Sequence, residues 1–305
     1  MVRSRLRRRL RRNQAARGSY NLAVRTFRRM RRILDREPVK VTTYLGHEFA
    51  YPADSMIGRH VAKHGDWDAI LARIVVRAFP EDDPFICEVG SNIGASLLQI
   101  LRGRPRATVL ALEPSNDFRP FLVRNLEAAG YDHVRVLPLF VGAQSGTTWL
   151  YNNETTASAT EPEYADHETR GRQQVEVSTL DEILRAVPRV DFIKVDTDGF
   201  DFEVLKGAEQ TLRTQRPLLF FELAPDLVPD SPRHLSSLQA LGYERLICLS
   251  PGQHAAVMGI TEDPARAVAW AEESGYCDVL CWNSTEPKSA ARFAGLEREL
   301  SAWPN

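Results

Sequence analysis

Two groups of residues carry most of the chemistry open to this sequence. The first is Glu88-Val89-Gly90-Ser91-Asn92-Ile93-Gly94, followed 19 residues later by Glu113-Pro114. Gly90 can take the positive-φ backbone of a tight turn, and Gly94 lets a helix approach a bound ligand closely. The string is not GxGxxG, so a dinucleotide pyrophosphate cradle fits poorly. Glu88, read as lying inside the pocket, would sit awkwardly beside a pyrophosphate and comfortably beside a cation. An acid placed as Glu113 is can accept both hydroxyl hydrogens of a ribose, and NAD enzymes also use one there. Glu88 and Glu113 together, around a GxxxG turn, point instead to S-adenosyl-L-methionine, whose ammonium and sulfonium suit the first acid. Glu88, Gly90, Asn92, Gly94 and Glu113 are the expected cofactor-binding residues.

The second group is Lys194-Val195-Asp196-Thr197-Asp198-Gly199-Phe200-Asp201, with Glu222 ending the next apolar run. Asp196 is the expected general base or acceptor-orienting carboxylate, with Asp198 supporting it. Asp201 reads equally as a helix cap, Asp198 as an Asx-turn residue, and Lys194 as a side chain that snorkels or pairs with an acid. His167, in a polar insert, is an outside candidate because imidazole titrates near neutrality. The Asp-Thr-Asp string also suits a metal-assisted glycosyltransferase holding Mg²⁺ or Mn²⁺. That reading leaves Glu88, the glycine turn and Glu113 without a role, so no metal is expected.

The elements that must position these residues follow a βα rhythm. Short apolar runs at residues 85–89, 108–112, 134–141, 190–195 and 218–221 read as strands, with two more at 245–249 and 278–282. Helices are expected at 95–101, at 117–129 with Asp117 as N-cap, and around Val204, Leu205, Ala208 and Leu212. Thr179-Leu180-Asp181-Glu182 fits a capping box. Residues 44–51 have strand-like aromatics and residues 67–79 a helical pattern. These spacings imply an α/β fold: a doubly wound, mainly parallel, seven-stranded Rossmann-like sheet with helices on both faces. Open sheets of this kind bind ligands beyond the carboxyl ends of their strands, which would gather both groups of residues at one edge. Residues 152–174 form a long polar insert of the functional or mobile kind.

The 305 residues are 43% hydrophobic and 26% charged, enough for a sizeable core. The net charge of −1 hides a split. Residues 1–40 hold 14 Arg and one Lys against Asp35 and Glu37, a net +13 that leaves −14 on the rest. Leu6, Leu10, Phe27, Met30 and Leu34 lay an apolar stripe along residues 2–36, which suits an anionic membrane surface. Nucleic-acid binding, an organelle transit peptide and a solvated tail are the competing readings. Four cysteines are too few for a disulfide scaffold, no run of 18 apolar residues occurs, and no secretory h-region is seen. The expected location is the cytoplasm, with peripheral attachment to the inner membrane face. The expected layout is a basic arm (1–37), a cap segment (38–84), the main domain (85–285) and a tail (286–305).

The sequence resembles the FkbM-type methyltransferases, a branch of the class I S-adenosylmethionine-dependent enzymes. The resemblance rests on CEVGSNIG (87–94), LEP (112–114), Asn125, VGAQSG (141–146), VSTLDEIL (177–184), FIKVDTDGFDFEVLKG (192–207) and RPLLFFE (216–222). The family's usual Glu-Gly-Ala-Glu appears here as Asp198-Gly199-Phe200-Asp201. The resemblance implies O-methylation of a hydroxyl on a sugar, glycolipid, polysaccharide or polyketide-like natural product. Two rivals stand beside it. One is a nucleic-acid methyltransferase using the arm, although Asp196-Thr-Asp-Gly stands where such enzymes often carry Asn/Asp-Pro-Pro-aromatic, so a nucleic-acid partner is not favoured. The other is a non-catalytic, membrane-docked scaffold with the same fold.

Overall fold

The computed structural model describes residues 39–81, 83–152, 157–158, 172–251 and 256–301. The basic arm and His167 lie outside them. In chain order the strands and helices are β1 (Val39–Tyr44), β2 (His47–Pro52), α1 (Met56–His64), α2 (Ile70–Ala78), β3 (Phe85–Val89), α3 (Ala95–Gly103), β4 (Thr108–Leu112), α4 (Arg119–Ala128), β5 (Arg135–Leu137), β6 (Phe140–Val141), β7 (Gly146–Asn152), β8 (Ala157–Ser158) and β9 (Arg172–Ser178). They continue as α5 (Leu180–Ile183), β10 (Phe192–Val195), α6 (Asp201–Lys206), α7 (Glu209–Gln215), β11 (Leu218–Leu223), α8 (Ser231–Gln239), β12 (Leu246–Leu249), β13 (Val257–Thr261), α9 (Pro264–Ser274), β14 (Cys277–Cys281) and α10 (Pro287–Ser301).

The main sheet runs β13-β12-β14-β11-β10-β3-β4-β5. The run from β11 to β5 is parallel, and β14 enters antiparallel between β11 and β12. Strand order reverses at β3 and β10, the topological switch point where such sheets bind ligands. Side-chain alternation splits the core in two. Ile86, Phe192, Phe220 and Leu280 face α2, α3, α4 and α10. Cys87, Ile193, Phe221 and Val279 face α5 to α9. Both faces are covered, which is why these strands read as unbroken apolar runs.

Several elements differ from expectation. The sheet has eight strands because β13, a half-buried strand with Gly259 at its centre, adds an edge. Residues 134–141 are not one strand. Pro138 divides them between β5 in the main sheet and β6 in a second sheet of order β6-β9-β7-β8. Residues 44–51 fold as part of the β1–β2 hairpin, turning at Leu45 and Gly46, both with positive φ. Asp117 does not cap α4, whose N-cap is Phe118 with no side-chain cap bond. The single helix expected around Val204–Leu212 is interrupted after Lys206 and becomes α6 and α7. The capping box at Thr179 and Glu182 is formed. Residues 287–301, read as tail, form α10, which packs against α2 and buries Phe293, Leu296 and Leu300. All four cysteines are buried and free. Among the described residues no helix is long and apolar enough to cross a membrane.

Candidate functional site

A crevice opens at the carboxyl ends of β3, β4 and β10. It encloses about 470 Å³ including its open mouth. Gly90, Asn92, Glu113, Asp196 and Asp198 line it, so five of the seven residues singled out from sequence converge there. Leu112, Pro114, Leu139, Phe140 and Val141 supply an apolar wall. The Leu139–Val141 part was not legible as wall, because reading 134–141 as one strand hid the crossing at Pro138.

Gly90 has φ +83, and a Cβ there would lie 1.9 Å from the carbonyl oxygen of Asp196. The glycine therefore lets the two loops of the crevice touch, and backbone on backbone cannot give way. Gly90→Ala is expected to lower stability by at least about 2 kcal/mol, combining left-handed strain with the clash. A urea titration checks this; an unchanged midpoint would contradict the close packing. Gly94 also has positive φ, but its missing Cβ makes room for Leu122 Cδ1, 2.9 Å away, and not for a ligand. It does not line the crevice. Asn125 ties this turn to the hairpin: its amide donates to the carbonyls of Ala50 and Ile93 and its oxygen accepts from the Ala50 N–H.

Glu113 ends β4 and is nearly fully buried. One oxygen accepts the N–H of Asn92 at 2.7 Å and the other the N–H of Ser115 at 2.8 Å. Asn92 reaches this position with φ +48, a left-handed conformation that Asn tolerates. Burial pushes the Glu113 carboxyl up to about 7, against the pull of these two amides and of Arg119, with Glu88 adding to the rise. Each oxygen keeps a lone pair for a further donor, so the group can accept two neighbouring hydroxyls. A ribose fits that demand, and the apolar wall beside it fits an adenine. Hydroxyl donors favour the ionised carboxylate, so binding should weaken as pH falls through about 7. The dissociation constant of S-adenosylhomocysteine is expected to rise roughly tenfold from pH 8 to pH 6. Calorimetry on wild type and Glu113→Gln checks this, since the variant should bind weakly at both pH values with no such slope.

Glu88 does not line the crevice, against expectation. Strand alternation turns it onto the α3-covered face, where it is fully buried and accepts from Ser96 Oγ at 2.8 Å. Its register partner across β3 and β10 is Lys194. Lys194 is 1% exposed, so it does not snorkel. Its Nζ lies 3.1 Å from Asp196 Oδ2 and 3.7 Å from Glu88 Oε1. Burial alone would lower the lysine pKa, but Asp196, Glu88 and Asp68 together hold it above its usual value. The side chain of Asp196 is 41% exposed, so the carboxylate bridges a buried cation and the open crevice.

Asp201 is neither in the crevice nor a cap. It is buried and accepts from Thr197 N, Thr197 Oγ1 and Glu222 N, bracing the turn that presents Asp196 and Asp198. Asp198 sits exposed at the mouth with φ +52, and Gly199 beside it has φ +98. The rings of Phe140 and Phe200 meet edge to face at 5.5 Å and close one side. Among the described residues no group of three or more His, Cys, Asp or Glu is placed to hold a metal ion.

The methyltransferase FkbM domain model matches residues 88–245. Methyltransferase 1 of Beauveria bassiana is 29% identical over 154 residues, 44% of this chain and 61% of that protein. The hexuronic acid methyltransferase AglP of Haloferax volcanii is 29% identical over 152 residues, 49% of this chain and 59% of that protein. A solved methyltransferase FkbM from Methylobacillus flagellatus aligns with a TM-score of 0.42 at 15% identity, over 68% of this chain and 47% of its own. The chain spans about three fifths of the length of the curated relatives it matches. Every residue lining the crevice falls inside the matched stretch, and the chain belongs to the methyltransferase FkbM domain family.

Proposed function

We propose that the protein transfers a methyl group from S-adenosyl-L-methionine to a hydroxyl of a sugar, glycolipid, polysaccharide or related natural product. The observation that carries this is the placement of two carboxylates in one glycine-floored crevice: Glu113 clamped by two backbone amides, and Asp196 half in the open. When bound, the cofactor supplies an already activated methyl group, so position and electrostatics are what the protein must add. Glu113 would hold the ribose hydroxyls. Gly90 and the Leu139–Val141 wall would shape the bed beside it. Lys194 occupies Asp196 Oδ2, and the other oxygen of Asp196, with no protein hydrogen bond among the described residues, is left for the proton of an acceptor hydroxyl. Asp198, at the mouth, would orient the acceptor.

The printed name of the Haloferax relative, a hexuronic acid methyltransferase, supports a saccharide acceptor. The Arg-rich residues 2–36 support a membrane-assembled glycan, since each basic residue near anionic headgroups adds roughly 1 kcal/mol to docking. The decisive experiment compares mass spectra of surface glycans from cells with and without the gene. A glycan lighter by one methylene in the deletion, restored by wild type and not by Glu113→Ala, is expected. Identical glycan profiles would remove the proposal.

A further inference from the structure

The second sheet touches two sides of the crevice, and it reaches one of them through a polar residue in an apolar position. In β9, Val175 and Val177 join Leu150 and Phe140 in an apolar cluster, while Arg172, Gln174 and Glu176 are exposed. Alternation therefore puts Gln173 on the inner face, where its partner across β7 is the fully buried Leu150. A half-buried amide in such a place needs partners. Those of Gln173 belong to the loop that follows Glu113. Its Nε2 donates to the carbonyl of Pro114 at 2.8 Å, and its Oε1 accepts the N–H of Asn116 at 3.3 Å. These groups flank Ser115, whose N–H holds one oxygen of the Glu113 carboxylate. From α4, Arg119 donates to the carbonyls of Glu113 and Pro114 at 3.2 and 3.0 Å. Farther along β9, Val177 and Ser178 pair with Phe140 and Val141 of β6, two residues of the apolar wall. A strand rises about 3.3 Å per residue, so Gln173 and Val177 stand roughly 13 Å apart, a span on the scale of a nucleoside.

We infer that Gln173 is a positioning residue for the nucleoside half of the cofactor: β9 is a strut that sets the gap between the apolar wall and Glu113, and Gln173 fastens its Glu113 end. The inference rests on the methyltransferase reading above and deepens it. Residues 113–118 lie between β4 and α4, outside regular structure. Their course is set by side chains that reach in from β9 and α4. If the loop drifts, the Ser115 N–H drifts with it, and the carboxylate turns. A carboxylate that must meet two neighbouring hydroxyls has to be oriented before they arrive, because ordering it during binding costs affinity. Gln173 is not among the residues lining the crevice, so it acts through the loop and not on the ligand. The Asn92 bond to Glu113 survives its loss, so the effect is partial. Leucine at 173 suits the apolar inner face, so removing the amide should leave the fold intact.

The test is calorimetry on the full chain with two probes, S-adenosylhomocysteine and 5′-methylthioadenosine, which lacks the amino-acid tail. Wild type, Gln173→Leu, Glu113→Gln and the double variant are compared at pH 8, and the first two also at pH 6. Gln173→Leu is expected to weaken S-adenosylhomocysteine about tenfold at pH 8, and 5′-methylthioadenosine by the same factor within about twofold. In the Glu113→Gln background the same substitution should cost less than about threefold, because the carboxylate it serves is already gone. The weakening of wild-type binding from pH 8 to pH 6 should shrink to about threefold or less in Gln173→Leu, since a turned carboxylate no longer ties binding to its ionisation. Arg119, Glu88 and Asp198, the charged groups that bear on Glu113, are the same in both proteins. Should the leucine variant unfold, Gln173→Met, which keeps the side-chain length, takes its place. Unchanged affinity overturns the inference. So does an equal loss in both Glu113 backgrounds, or a loss confined to S-adenosylhomocysteine. In those cases wild type still binds and the methyltransferase reading stands. If wild type binds neither probe, that reading fails first and the inference with it.

Discussion

Asp196→Asn is expected to lower turnover by about 10²–10⁴ while the affinity for S-adenosylhomocysteine stays within about threefold of wild type. The reason is geometric. Asp196 lies at the end of β10 with one oxygen on Lys194 and the rest of the carboxylate facing the crevice. Asn keeps the shape and the reach, but cannot take up a proton. On the proposed assignment cofactor affinity depends on Glu113 and the apolar wall, which the substitution does not touch. The measurement is transfer of labelled methyl groups to a glycan extract from cells lacking the gene, paired with calorimetry. Unchanged turnover would remove Asp196 from the base role. A parallel collapse of cofactor binding would show that its work is structural.

Lys194→Met is expected to destabilise the fold by about 3–5 kcal/mol, the usual consequence of removing one partner from a buried ion pair. Glu88 is fully buried, and without the lysine it keeps only the neutral hydroxyls of Ser96 and Ser91 among the described residues. Burial already raises the Glu88 carboxyl above its usual range, and Lys194 is the main group opposing that rise. Its loss therefore raises the carboxyl further. A carboxyl raised in the folded state favours folding while it holds its proton and opposes folding once it ionises. The deficit of Lys194→Met should thus be smaller near pH 5 than near pH 8. Adding Glu88→Gln should recover part of it. Urea titrations of the two single variants and the double variant, at both pH values, check the sign. A deficit independent of pH, or no recovery in the double variant, would contradict the pairing.

Much of the crevice lining was legible because its signals are local. A five-residue apolar run, a glycine turn and a helix leave little freedom in β3, Gly90 and α3. Glu113 follows from the same logic one strand later. The capping box at Thr179 needed only four residues to be recognised. What sequence did not reveal depends on partners far along the chain. Glu88 looked like a pocket residue because it ends a strand. Its burial is set by Lys194, more than 100 residues away, and by the alternation that puts both on one face. Gly94 carries the same composition signal as Gly90, yet it makes room for Leu122. Pro138 limits strand regularity, but the handover of the chain to a second sheet is a tertiary outcome.

The most direct measurement is a crystal structure of the protein with S-adenosylhomocysteine. The ribose hydroxyls are expected within hydrogen-bonding distance of the Glu113 carboxylate, with the sulfur on the Asp196 side of the crevice and Gly90 beneath. A nucleoside lodged elsewhere, or one lying in the crevice with its ribose turned away from Glu113, would contradict the assignment on which the catalytic and acceptor readings both depend.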